Sequence, residues 1–243
     1  MDELHQNQQS DIFCFYWADT AMRSRSVGDV VLSDVVTVPA PTASLVADWD
    51  RDMSLRLEMA PGDVEELSLA RTRMRWSGYK PCVAAVRNWT LGMGLGEMLE
   101  SCPVALMACR GARYHHDGEM YGGKVFCNVF LSEDKGLDLL FPAIGRRIPL
   151  VRGTAVMFDT CQPHAVVDRR KDGFNVADFS EDRDCSQIFL TWELPVDNAN
   201  VCKALGIALD VDVANASRAT EAQVRVNGIR VGVSQDTGAL TPL

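Results

Sequence analysis

From Pro103 to Pro195 the chain alternates short apolar runs with Gly, Pro and Asp, a texture unlike that of the hundred residues before it. Such runs predict strands near 104–109, 112–117, 124–132, 137–141, 146–151, 154–158, 163–168 and 185–194. Many short strands of this kind point to a β-sandwich or barrel. The last run, SQIFLTWEL, shows the alternation plainly. Ile188, Leu190 and Trp192 share an apolar face suited to packing against helices, while Arg183, Cys185, Gln187 and Thr191 share the other, suited to a polar interior.

The N-terminal hundred residues are mixed. DVVLSDVVTV (29–38) reads as a strand, VPAPTAS breaks it, and a helix then runs through about Met59. A second helix is expected after Pro61-Gly62-Asp63, with Val64, Leu67, Arg71 and Met74 at helical spacing. A third, over 88–102, is weakened by Gly92, Gly94 and Gly96. Near the C-terminus, Asn227-Gly228 lies between alternating runs and predicts a two-residue hairpin, either an edge or a homodimer contact. With no internal repeat, the organisation expected is one domain over 1–243. A helical and mixed support (1–103) would carry a β core (104–195) and a C-terminal extension with the hairpin (196–243).

Charge and composition narrow the partners. A net charge of −9 over 243 residues disfavours nucleic acid, which needs an excess of Lys and Arg on one face. The polar, acidic start MDELHQNQQSD lacks the basic and apolar regions of a signal peptide, and no apolar run reaches membrane-spanning length. Eight scattered cysteines show neither a disulfide framework nor paired zinc-knuckle spacing. The expectation is a cytoplasmic protein with reduced thiols and no membrane partner.

Three of the four histidines fall in two places. ARYHHDGEMYGG (112–123) contains His115, His116 and Asp117, and His164 follows Asp117 by 47 residues in RRIPLVRGTAVMFDTCQPHAVVD. If 112–117 is a strand entering a turn, His115 and Asp117 share a face and His116 takes the other. Two imidazoles and a carboxylate on one face of an octahedral ion leave positions open for other ligands. Cys161 with His164 and His115 would instead suggest zinc, but no second spaced cysteine completes a tetrahedron. A cupin reading would need His-x-His, and this chain has His-His.

With CNVFLSEDKGLDLLFP (127–142) between them, these segments resemble the iron(II)- and 2-oxoglutarate-dependent oxygenases of the prolyl-hydroxylase-like type, over about residues 104–194. The resemblance implies a mainly β fold with flanking helices: a double-stranded β-helix (jelly-roll) core with the N-terminal helices packed on one sheet. It implies Fe(II) held by His115, Asp117 and His164, with 2-oxoglutarate and O2 as co-substrates and succinate and CO2 as co-products. The carboxylate at 117 favours hydroxylation, desaturation or another oxidation over halogenation, whose enzymes have Gly or Ala there.

The family also holds the distal carboxylate of 2-oxoglutarate with an Arg or Lys, since a buried carboxylate is costly unless paired. The usual position, near 174, is Phe here. Arg183, before the last strand, is the residue expected to replace it, with Arg169, Arg170 and Lys124 as competitors. Asn128 is expected to line the co-substrate pocket beside Phe126 and Phe130. Arg110, Arg113, Arg146, Arg147 and Arg152 read as rim charges, any of which could meet a substrate carboxylate. The substrate expected is a small molecule, such as a free amino acid or natural-product intermediate. The competing readings are a cupin-like metalloenzyme that does not use 2-oxoglutarate and a non-enzymatic jelly-roll binding domain.

Overall fold

A computed structural model describes residues 12–55, 57–180 and 182–243; His5 and the polar N-terminal stretch lie outside them. In chain order come strands β1 (Ile12–Ala18), β2 (Ala21–Ser26) and β3 (Leu32–Val35), helix α1 (Ala43–Leu55), β4 (Val64–Leu67), and helices α2 (Leu69–Arg75), α3 (Tyr79–Leu91) and α4 (Met98–Ser101). The β-rich part follows with β5 (Val104–Arg110), β6 (Ala112–His115), the short helix α5 (Gly118–Tyr121), β7 (Lys124–Phe130), β8 (Leu137–Phe141), β9 (Arg146–Pro149), β10 (Thr154–Asp159), β11 (His164–Asp168) and β12 (Ser186–Pro195). Last are α6 (Ala199–Leu205), α7 (Val213–Ala216), β13 (Gln223–Val226), β14 (Ile229–Val233) and β15 (Leu240–Pro242). The protein is mainly β, its strands pairing antiparallel, with helices alongside.

Two sheets form the centre. One has the order β3-β10-β7-β12-β5-β4, the other β6-β11-β8-β9. Their inner faces meet through Phe130, Phe158 and Phe189 on the larger sheet and Leu139, Phe141 and Val166 on the smaller. The larger sheet turns its other face to the helices, as the alternation of β12 foretold. Ile188, Leu190 and Trp192 join Leu45, Trp49, Trp76, Val86 and Leu99 in a second core. Helix α1 begins where Pro39 and Pro41 end, with Thr42 Oγ1 accepting from the Leu45 N–H at 3.3 Å. It buries Leu45, Trp49 and Met53 at four-residue spacing.

The N-terminal half departs from expectation in three places. Val64–Leu67 is a strand, because it finds the free edge of β5 and its backbone groups pair there; the helix starts only at Leu69, capped by Ser68. The helix expected over 88–102 begins earlier, at Tyr79, and stops at Leu91, where Gly92, Gly94 and Gly96 interrupt it before the short α4. Of the strand expected over 29–38, only Leu32–Val35 pairs with β10.

A third sheet, in the order β15-β14-β13-β1-β2, joins the two ends of the described chain. The Asn227-Gly228 turn forms as expected, with φ of 50° and 82° at its two residues, the left-handed pair that a tight hairpin requires. This sheet is fastened to the centre by an ion pair with no solvent exposure. Arg25 on β2 donates to both carboxylate oxygens of Asp159, at the end of β10, at 2.5 and 2.8 Å. Arg25 Nε also donates to the Gly122 carbonyl at 2.6 Å, and Asp159 accepts from the Gly28 and Cys161 N–H groups at 2.8 and 2.9 Å. Arg25 Nη1 also donates to the Ser26 carbonyl at 3.1 Å and Nη2 to the Cys161 sulfur at 3.2 Å, so the pair is fully bonded, the condition under which buried charge is tolerated. Removing one partner leaves the other charge stranded. Arg25→Met should therefore cost about 3–5 kcal/mol in urea unfolding, and a loss below about 1 kcal/mol, the range of surface pairs, would show that the pair is solvated.

Candidate metal centre

Strand pairing delivers the two histidines. β6 and β11 lie side by side with His115 opposite His164, their ring centroids 4.3 Å apart. Asp117 arrives differently from expectation. The strand ends at His115, and Asp117 is the first turn residue before α5, so a turn and not strand alternation brings its carboxylate round. Its N–H donates to the Thr160 carbonyl at 2.7 Å, and its carbonyl accepts from the N–H of Tyr121 at 2.7 Å. The result is a compact triad. His164 Nε2 lies 3.6 Å from Asp117 Oδ2, and His115 Nε2 lies 3.9 Å from Asp117 Oδ1. The three side chains offer one ligand atom each within 4.8 Å of one another. The 3.6 and 3.9 Å separations from Asp117 suit one cation, since two atoms each about 2.1 Å from an ion are at most about 4.2 Å apart.

Both imidazoles are held in the orientation a metal needs. His115 Nδ1 meets the Arg113 carbonyl at 2.6 Å and His164 Nδ1 meets the Gln162 carbonyl at 2.9 Å. Donation to those carbonyls puts the proton on Nδ1 and turns the Nε2 lone pair inward. The His164 ring packs between Phe158 and Phe141, at 4.9 and 6.0 Å between centroids. Burial, and secondarily the neighbouring His115, push its pKa well below the usual histidine value, so it stays neutral and able to ligate. Burial pushes the Asp117 carboxyl up, against the pull of His115 and His116. A bound divalent cation would relieve both the crowding of lone pairs and the buried carboxylate.

His116 turns away from this group. Its Nδ1 accepts from the Gly118 N–H at 3.3 Å, and burial lowers its pKa. Cys161 is also directed elsewhere, with Arg25 Nη2 3.2 Å from its sulfur, so the zinc set with cysteine does not assemble. All eight cysteines are free, and burial pushes the thiols of Cys82, Cys109 and Cys127 up to about 12.

The triad opens on a cavity of about 290 Å³ between the two central sheets. Asn128 lies in its wall with Phe126 and Phe130, on the face expected. Thr191 stands opposite Asn128 across the β7–β12 pairing. Glu66, Glu193 and Tyr121 also line it; the three acids Glu193, Asp117 and Glu66 add to the burial that raises the Tyr121 pKa. No Arg or Lys among the described residues does so.

The expected cation is therefore not at this cavity. Arg183 bonds the buried Asp168 and the Lys135 carbonyl, and faces a separate cleft beside Asp50 and Arg110. Arg169 pairs with Asp134 and Asp138, Arg170 with Asp168, and Lys124 lines another cleft near Tyr16 and Arg23. The insertion 169–184 folds its cations back on the carboxylates of its own neighbourhood. Of the other arginines weighed, Arg113 pairs with Asp63, Arg146 with Ser33 and the Val31 carbonyl, and Arg147 with Asp138. Glu66 and Glu193 escaped notice in the sequence because ordinary acids at strand ends carry no pattern.

No family model and no curated protein sequence matches the chain. Among solved structures, it is similar to a Pseudomonas putida prolyl-4-hydroxylase, at 18% identity and a TM-score of 0.41, covering 68% of this chain and 92% of that one. It is also similar to a viral collagen prolyl hydroxylase from Paramecium Bursaria Chlorella virus-1, at 11% identity and a TM-score of 0.34, covering 66% and 90%. At TM-scores below 0.5 these likenesses bear no functional weight, which falls on the site itself.

Two expectations follow. His115→Ala and His164→Ala should each abolish iron(II) binding in equilibrium dialysis, whereas His116→Ala should retain it; the reverse pattern would remove His115 from the centre. Arg183→Ala should act on stability. Asp168 is held well below the usual carboxylate range by Arg170, and also by Arg183. A depressed folded pKa stabilises above the unfolded value, about 3.9, and that contribution is lost as pH falls. The destabilisation by Arg183→Ala should thus be full at pH 7 and shrink below about pH 4 in urea titrations.

Proposed function

We propose that the chain is an iron(II)-dependent oxygenase that oxidises a small molecule, with His115, Asp117 and His164 as the metal ligands. We further propose that its two central sheets form a double-stranded β-helix within a single domain, the N-terminal and C-terminal segments bracing that core. One observation supports this reading above the rest: two imidazole Nε2 atoms and one carboxylate converge at the edge of an otherwise mostly apolar cavity. That donor set leaves coordination positions free and suits non-haem iron(II). Iron bound there would supply the activation of oxygen, and the chain's own residues do the rest. Phe126, Phe130, Phe158 and Phe189 keep water from the cavity, and Asn128 and Thr191 orient what enters it. The cavity's size fits a free amino acid or a comparably small metabolite better than a folded partner.

The metal fits the residues present, but 2-oxoglutarate fits them at one end only. Its chelating end has room beside the triad, whereas its distal carboxylate would lie in a cavity with no Arg or Lys among the described lining residues. That same observation favours a second reading, a metalloenzyme of the same donor set in which the substrate itself chelates the iron and 2-oxoglutarate takes no part.

The test is iron-dependent oxygen uptake. Protein stripped with a chelator and reloaded anaerobically with iron(II) should consume oxygen in the presence of a suitable small acid, and Asp117→Ala should lose at least about a hundredfold in that rate. Folded protein that binds no iron(II) would end the proposal, and persistence of uptake after chelation would do the same.

A further inference from the structure

The cavity beside the triad has an unusual electrostatic makeup for a site thought to receive a dianion. Its lining holds Asp117, Glu66 and Glu193 and, among the described residues, no Arg or Lys. No ion-pair or hydrogen-bond partner is found for the side chains of Glu66 and Glu193 among the described residues. Meanwhile Asn128 Oδ1 and Thr191 Oγ1 are buried with no hydrogen-bond partner, in residues 6% and 7% exposed. A buried amide or hydroxyl left unpaired costs free energy, and so such groups are normally satisfied by a neighbour, a water or a ligand. Here they face each other across neighbouring strands, in the cavity wall. Behind them the stacked pair Phe130 and Phe189, 5.0 Å between centroids, forms an apolar floor.

Charge balance then restricts what can share the metal. A divalent iron with Asp117 as its single carboxylate ligand has one positive charge left. One carboxylate from a chelating ligand brings that centre to neutrality. A second carboxylate at the far end would lie among the buried Asn128, Thr191, Phe130 and Phe189 with no Arg or Lys among the described residues lining the cavity, and burial of unpaired charge is heavily penalised.

We propose that the ligand chelating this metal is a monoanion, a small 2-oxo acid or comparable chelating acid, whose far end is uncharged and is held by Asn128 and Thr191. The inference rests on the metal centre put forward above and deepens it. Asn128 Oδ1 is an acceptor in its present orientation, and the Thr191 hydroxyl can give or take a proton, so a tail that donates a hydrogen bond, such as an amide or hydroxyl, satisfies both. A carboxylate tail offers only acceptors and meets Oδ1 unfavourably unless the amide rotates.

The experiment uses the full chain loaded with iron(II) under anaerobic conditions and reads the visible absorption of the iron chelate. The probes are 2-oxoglutarate, its 5-amide 2-oxoglutaramate, and 2-oxovalerate, which has an aliphatic tail. The 5-amide should reach half-saturation at a concentration about tenfold below that of 2-oxoglutarate, with 2-oxovalerate also ahead of the dianion. Asn128→Ala and Thr191→Ala should each weaken the 5-amide several-fold while leaving iron(II) affinity, measured separately by dialysis, unchanged. Tighter binding of 2-oxoglutarate than of both uncharged-tail acids would overturn the inference while the metal centre stands. Iron binding with no absorption band from any of the three acids would also overturn it. Loss of iron binding in the unmodified protein would instead bring down the underlying metal assignment.

Discussion

The candidate metal centre depends on a salt bridge that contains none of its three residues. Arg25 and Asp159 are both fully buried, and they clamp the segment 159–163, which runs from the end of β10 to His164. Asp159, Thr160, Cys161 and Gln162 are tied in turn. Asp159 also takes the Gly28 and Cys161 N–H groups, Thr160 accepts from the Asp117 N–H through its carbonyl, and Gln162 Nε2 donates to the Gly28 carbonyl at 2.5 Å. Gln162 then accepts from His164 Nδ1 through its own carbonyl. One ion pair therefore governs the backbone that orients His164 and the backbone that positions Asp117. A site of three ligands from two strands and a turn needs such support, because displacement of a ligand by a fraction of an ångström changes the coordination it can offer.

The protein's handling of its cations follows from the same low-dielectric interior. Among the described residues only Arg25 is drawn fully inside, with its guanidinium hydrogen bonds arranged around it. Arg183, Arg169 and Arg170 gather instead on Asp168, Asp138 and Asp134 along the outer end of β8 and β11. That network braces the insertion 169–184 against the smaller sheet, and Phe174 and Phe179 of the insertion stack on each other beneath it, 5.3 Å between centroids. Cations committed to structural carboxylates are not free to meet a ligand. The cavity they leave behind is lined by apolar side chains, one amide, the hydroxyls of Thr191 and Tyr121, two histidines and three acids.

How much of this is legible in the sequence depends on the range of the interactions involved. The strands of 104–195 are readable because alternation is local, and on β12 it separates the helix-packed face from the cavity face residue by residue. His115, Asp117 and His164 are readable as a set, though the argument that joined His115 to Asp117 through strand alternation describes a strand that stops at His115. The edge strand Val64–Leu67 was obscured because its spacing also suits a helix, and only the presence of β5 decides between them. β1 and β2 went unread although IFCFYWA is strongly apolar, since their partners are β13 and one another, and the tie to the centre spans 134 residues between Arg25 and Asp159. Arg183 illustrates the limit best. Position before a strand and parity along it say which face a residue should join, but a carboxylate at 168 brought alongside by folding takes the guanidinium first.

That competition bears on the chemistry. Charge at the far end of the cavity is a property of the whole wall, set by which side chains the two sheets bring together and by which partners the rest have already found. A motif can announce the three candidate metal ligands because two sit opposite each other on neighbouring strands and the third lies in the turn that follows one of them. It cannot announce the co-ligand's anchor, because a guanidinium able to reach the cavity must also be left without a nearer carboxylate. In this chain Asp168, buried at 1% exposure and bonded by two arginines, is that nearer carboxylate. The insertion therefore meets β11 at Asp168, two pairs along the strand from His164 and on the same face as Val166, and it is there that Arg183 is taken up.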